Sequence, residues 1–163
     1  MSRRDDDGGI LKAGVRAPKF ALKELAGGRQ SLENLLERGP VLLAFYKASC
    51  PVCQLTFPFL ERLSKNDVVQ VIGISQDDAS STTAFNDRFG VTFPTLLDEA
   101  KQGYPISNGF AIGTVPTVFL VESDGTISKS FEGFSKRDLD TIGDRINVRP
   151  FLPDEYVPEF KAG

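Results

Sequence analysis

The run Val41-Leu-Leu-Ala-Phe-Tyr46 is apolar at every position and ends just ahead of Cys50-Pro51-Val52-Cys53. A strand without polar alternation is covered on both faces, which points to a sheet with helices on each side. Beyond the first cysteine the period changes. Leu55, Phe59 and Leu63 fall four apart, with Phe57 and Leu60 beside them, and this spacing predicts a helix from Cys50 to Leu63. Pro51 suits the first helical turn, where its missing N–H costs nothing. Pro58 lies inside the helix and is expected to kink it.

The flanking sequence extends this unit into an α/β domain. Residues 1–14 are charged and Gly-rich and read as a disordered arm. Pro18 to Leu25, the turn Gly27-Gly28 and a helical turn capped at Ser31 form an N-terminal β element. Val68 to Ser75 reads as a second buried strand, 79–89 as a helix stopped by Gly90, and Phe93 to Leu97 as a short strand. Gly103 to Gly113 is less regular. The strand Val118 to Val121 follows, then the turn Asp124-Gly125 and a return strand to Phe131. Ser135-Lys-Arg-Asp138 starts a last helix reaching about Ile146. One domain over 15–148 results, with a central mixed sheet flanked by helices. The tail, 149–163, has three prolines among Phe151, Tyr156 and Phe160, and its aromatics predict docking on the body.

Composition narrows the chemistry. The 163 residues include no histidine and two cysteines. Without imidazole there is no Ser-His-Asp triad, no Cys-His pair and no zinc site built on His. With 19 basic against 22 acidic residues, net charge −3, the chain lacks the basic field that nucleic acid demands. No apolar run approaches the ~20 residues of a membrane span. The start, Met1-Ser-Arg-Arg, has no apolar segment behind it, so a cytoplasmic location is expected, or a periplasmic one for a chain whose leader has been removed.

Soft nucleophilic chemistry therefore falls to Cys50 and Cys53. At a helix N-terminus, unpaired N–H groups and the macrodipole favour an anion, which lowers a thiol's pKa. Cys53, one turn on, can attack a mixed disulfide formed at Cys50 and release the second sulfur. Such a pair needs no cofactor and no metal. Zinc would need two further ligands, and a structural disulfide across so short a loop would add little stability. Two inert buried cysteines are the fairer competitor, but a proline between them at a helix start favours redox work.

The strand Val41–Tyr46, the Cys-Pro-Val-Cys sequence, Pro58 and Val115-Pro116-Thr117 ahead of a strand together resemble the thioredoxin superfamily. Ala17-Pro18-Lys-Phe20-Ala-Leu22, Gly27-Gly28 and Ser31-Leu32 resemble the redoxin branch, which holds AhpC/TSA peroxiredoxins and TlpA/ResA-like oxidoreductases. The stretch between Cys53 and Pro116 is similar to that branch's inserted element. The resemblance implies a thioredoxin-like fold, catalytic Cys50 and Cys53, and a cis Pro116 preceded by a docking position at Val115. It also implies that Ser49 and Pro51 contribute to substrate binding.

Three positions depart from the family patterns. Ser49 stands where thioredoxins usually have Trp. Ala44 stands where a buried acid helps deprotonate the second cysteine, which leaves that proton to water or to a carboxylate elsewhere. Lys47 and Leu43 replace the Thr and Pro with which peroxiredoxins hold peroxide, so efficient peroxide reduction is not expected. Lys47 can serve instead as a cation near Cys50, or simply as a solvated lysine. The expected function is exchange with a protein or small-molecule disulfide, with a thiol electron donor or acceptor as the second partner. A thiol peroxidase and a redox-inert binding module are the alternatives.

Overall fold

The computed structural model describes residues 9–163. A hairpin of β1 (Ala21–Glu24) and β2 (Arg29–Ser31) turns at Gly27 and Gly28, both at positive φ. Ser31 then caps α1 (Leu32–Leu36), its hydroxyl accepting the Asn34 N–H at 3.1 Å. The chain continues through β3 (Val41–Tyr46), α2 (Pro51–Leu63), β4 (Gln70–Ser75), α3 (Ala79–Phe89) and β5 (Thr95–Leu97). Gly90, at φ +69°, ends α3 as a left-handed cap. A 3-10 turn at Ala100–Gln102 leads into α4 (Pro105–Gly109), inside the stretch that the sequence marks only as irregular. Next come the hairpin β6 (Thr117–Val121) and β7 (Ile127–Glu132), then β8 (Phe134–Ser135), α5 (Lys136–Ile146) and β9 (Phe160–Lys161).

The main sheet runs β2-β1-β5-β4-β3-β6-β7. β3 lies within it, parallel to β4 and antiparallel to β6, and β4 is parallel to β5. The sheet is thus mixed and flanked by helices. Every residue of β3 is fully buried, which is what its unbroken apolar run requires.

Strand alternation sends Phe45 and Tyr46 to opposite faces. Tyr46 packs 4.1 Å from the ring of Phe57 on α2 and 5.0 Å from Phe85 on α3. Phe45 packs 5.3 Å from Phe110 and 5.8 Å from Phe119. The phenylalanine-rich composition thus fills two cores, and each buried ring contributes about 1.5–3 kcal/mol. Tyr46 needs a partner for its hydroxyl, which donates to Asn86 Oδ1 at 2.8 Å. Asn86 in turn donates to Thr95 Oγ1 at 3.1 Å.

Both ends of the described chain are tied to this body. Of the expected arm, residues 1–8 lie outside the described residues. Leu11 is buried, its carbonyl accepting the Ser130 hydroxyl at 2.7 Å, and the Gly14 N–H donates to Ile127 O at 2.8 Å. In the tail, Phe151 stacks 4.9 Å from Phe59 and 6.0 Å from Phe134. Arg62 grips Glu155 through two hydrogen bonds of 2.6 and 2.9 Å and also donates to Pro150 O. Tyr156 and Phe160 differ from expectation, being 93% and 58% exposed. Beyond Val157, which is buried, backbone pairing of β9 with β8 holds the segment in place of ring burial.

Candidate active site

Cys50 is the N-cap of α2, in extended backbone, with Pro51 at the first helical position. Its Sγ accepts the Cys53 N–H at 3.1 Å, a cap usually made by an oxygen. The Gln54 side chain donates to Ala48 O at 3.0 Å, tying the helix to the loop that precedes it. Both cysteines are free thiols; Cys50 is half-buried and Cys53 fully buried. Burial foremost, then the neighbouring Cys50 sulfur, pushes the Cys53 thiol pKa up, while a backbone hydrogen bond from Lys47 opposes this in part. Cys50 is thus the more accessible of the two sulfurs, and Cys53 the deeper one with its thiol form favoured.

The Val115–Pro116 peptide is cis, and the Cys50 thiol donates to Val115 O at 3.3 Å. Val115 and Pro116 are buried beside the cysteine, and Pro51 is exposed. A cavity of about 510 Å³ opens here between Lys47, Cys50, Pro51, Tyr104 and Val115. Ser49, by contrast, sits exposed in the turn closed by Cys50 N–H to Lys47 O at 3.2 Å and does not line that cavity. Lys47 lies 5.8 Å from the Tyr104 ring, an aromatic contact in place of free solvation.

The far cavity wall comes from the insertion. Buried Asp98 accepts from the Ile106 and Ser107 N–H groups at 3.1 and 2.7 Å, fixing the start of α4, and Gln76 donates to Ser107 Oγ at 2.9 Å. Nothing in the local sequence marks Gln76 or Ser107 as lining, because they meet Cys50 only through the sheet order.

Ala44 is fully buried opposite Gly73 and Val118, so no carboxylate stands at that position. Asp77, which no sequence motif marks, supplies a negative charge from just beyond the next strand. Its Oδ2 accepts the Ala48 N–H at 2.7 Å, and its charge adds to the upward shift of Cys53. Its place just past the carboxyl end of β4 is where sheet enzymes gather functional groups, and that is the signal that could have found it.

The model of the AhpC/TSA family matches residues 13–130. The chain belongs to the AhpC/TSA family. Within this family it falls among the thiol-disulfide oxidoreductases with the thioredoxin-like fold. The thiol-disulfide oxidoreductase ResA of Halalkalibacterium halodurans is 30% identical over 131 residues, 78% of this chain and 72% of that protein. The thioredoxin domain of a thiol-disulfide oxidoreductase from Bacteroides vulgatus superposes with a TM-score of 0.73 at 21% identity, covering 84% of this chain and 99% of that one. Peroxidoxin BcpB of Mycobacterium tuberculosis gives a TM-score of 0.67 at 25% identity, covering 83% and 93%.

Proposed function

We propose that Cys50 and Cys53 form a two-electron redox couple that reduces or exchanges disulfides. The Cys50 thiolate attacks one sulfur of the substrate disulfide, forming a mixed disulfide and releasing the other sulfur as a thiolate, which takes up a proton. Cys53 then loses its proton and attacks the Cys50 sulfur. A Cys50–Cys53 disulfide forms and the second substrate thiol leaves. The substrate disulfide has gained two electrons and two protons, and an external dithiol donor restores the pair.

The observation that carries this reading is the asymmetry of the two sulfurs. Cys50 caps a helix at the mouth of a cavity, and Cys53 lies behind it, buried and held protonated. Pro51, Val115 and Pro116 flank the attacking sulfur and would contact the substrate. The test is turnover of a disulfide by the wild type against Cys50→Ser. Loss of all exchange in C50S supports the couple, full retention in C50S overturns it, and a wild type without exchange activity favours a redox-inert binding module instead.

Likeness to a peroxidoxin supports a second reading, peroxide reduction. There the Cys50 thiolate would take one peroxide oxygen as sulfenic acid, and Cys53 would condense with it, releasing water. Lys47 and Leu43 at the peroxide-holding positions weigh against this reading. Stopped-flow rates with hydrogen peroxide no faster than those of free cysteine would remove it.

A further inference from the structure

The tail does more than lean on the body; its last residues lie over the cis-proline turn. β9 pairs antiparallel with β8, Lys161 opposite Phe134 and Phe160 opposite Ser135, and the Lys136 N–H donates to Glu159 O at 3.0 Å. Gly133, immediately before β8, has φ +72° and donates its N–H to Pro116 O at 2.8 Å. A Cβ at Gly133 would collide with Lys161 O. At Gly163 a Cβ would collide with Val115 O and stand 3.2 Å from Pro116 Cδ. Two bare glycine backbones thus let residues 161–163 settle on the turn that holds Val115. Gly163 also lines the cavity at Cys50.

This placement bears on which disulfides reach the sulfur. An extended polypeptide pairs with a docking backbone along its edge, with its residues on both sides of the scissile bond needing room. At Val115 the carbonyl already accepts the Cys50 thiol, and the Gly163 backbone covers it. A small disulfide needs no such edge, since the cavity between Lys47, Tyr104 and Pro51 leads to Cys50 directly.

We propose that residues 160–163 are a specificity gate: docked, they hold polypeptide disulfides off Val115 and admit small-molecule disulfides, and released, they open the edge to proteins. The anchor and the gate are separate parts. Phe151, Glu155 and Val157 fasten the segment upstream, while Phe160 and the three residues after it are exposed and held by a two-residue ladder. Such a short, exposed ladder is the kind of contact that opens locally without unfolding the rest.

The inference rests on Cys50 as the attacking sulfur, and the experiment separates the two ideas. The rate constants for reduction of insulin and of hydroxyethyl disulfide are measured for three chains: the wild type, a chain ending at Glu159, and Gly163→Val. The readout is the ratio of the insulin rate to the hydroxyethyl disulfide rate. With the edge uncovered, that ratio rises by about ten-fold, as expected when a mostly closed state is removed. An unchanged ratio in both variants overturns the gate and leaves the redox couple standing. Wild type inert towards hydroxyethyl disulfide overturns the couple and the gate with it. G163V, an exposed backbone-level change, decides the matter if the shortened chain does not fold.

Discussion

The sulfur of Cys50 stands 3.3 Å from the carbonyl oxygen of Val115, a contact that joins residues 65 positions apart. The same sulfur accepts the Cys53 N–H. Cys50 is therefore oriented from two directions, by the helix it caps and by the turn across from it. Deprotonation keeps the first contact and removes the second, because a thiolate can accept from an N–H but has nothing to donate to a carbonyl. The thiol's hold on Val115 O is thereby released when Cys50 ionises.

Cys53→Ser should stop the reaction at its midpoint. Incubated with hydroxyethyl disulfide, this variant accumulates a mixed disulfide at Cys50, seen as one adduct per chain by intact mass spectrometry. C50S under the same conditions stays unmodified, since the buried Cys53 is out of reach.

Asp77→Asn should lower the Cys53 pKa by removing a nearby negative charge while keeping an acceptor for the Ala48 N–H. The pH profile for resolution of the mixed disulfide moves to lower pH. Asp77→Ala loses the acceptor as well and costs about 1–3 kcal/mol, read by urea unfolding. An unmoved profile in D77N would place the charge effect elsewhere.

Tyr46 carries its own pH signature. Burial, offset in part by hydrogen bonding with Thr95 and Asn86, pushes its phenol from the ordinary 10.0 up to about 12. Because the folded-state value is the raised one, its contribution is complete below pH 10 and is lost between about 10 and 12. The loss amounts to roughly 2–3 kcal/mol at most. Ultraviolet titration should show one tyrosinate forming late, and Tyr46→Phe should remove that step and destabilise the fold by about 1 kcal/mol.

Glu155 gives the tail an acid limit. The Arg62 guanidinium, with the Leu152 N–H, holds its carboxyl down to about 2. The folded-state value is depressed, so tail docking keeps this support above the ordinary 4.5 and loses it as pH falls towards 2. Limited digestion with pepsin across pH 2–4 should cut the tail progressively faster than the body. In Glu155→Gln that pH dependence flattens.

What was legible in the sequence is what local chemistry dictates. Ser31, Gly90 and Ser135 mark helix ends because capping needs only neighbouring residues, and the structure places each of them there. Val41–Tyr46 announces a buried strand because no exposed strand lacks polar alternation. Asp77 was legible only as a carboxylate past a strand end; its reach to the loop before Cys50 comes through the β3–β4 register, with Tyr46 opposite Ser75. The β8–β9 ladder was hidden for the same reason, being two residues long and closing across α5. Tyr156 and Phe160 misled because aromatic content says nothing about whether ring or backbone makes the contact.

The buried, protonated state of Cys53 has a consequence in time. In the proposed exchange, a partner captured at Cys50 would stay covalently joined until Cys53 ionises, a step that burial of its thiol disfavours. During the wait, an outside thiolate that attacks the captured group's own sulfur would take that group as a disulfide and release the Cys50 thiolate. The depth of one sulfur thus sets a dwell time, and the dwell time decides whether cargo is released as a thiol or handed on as a disulfide.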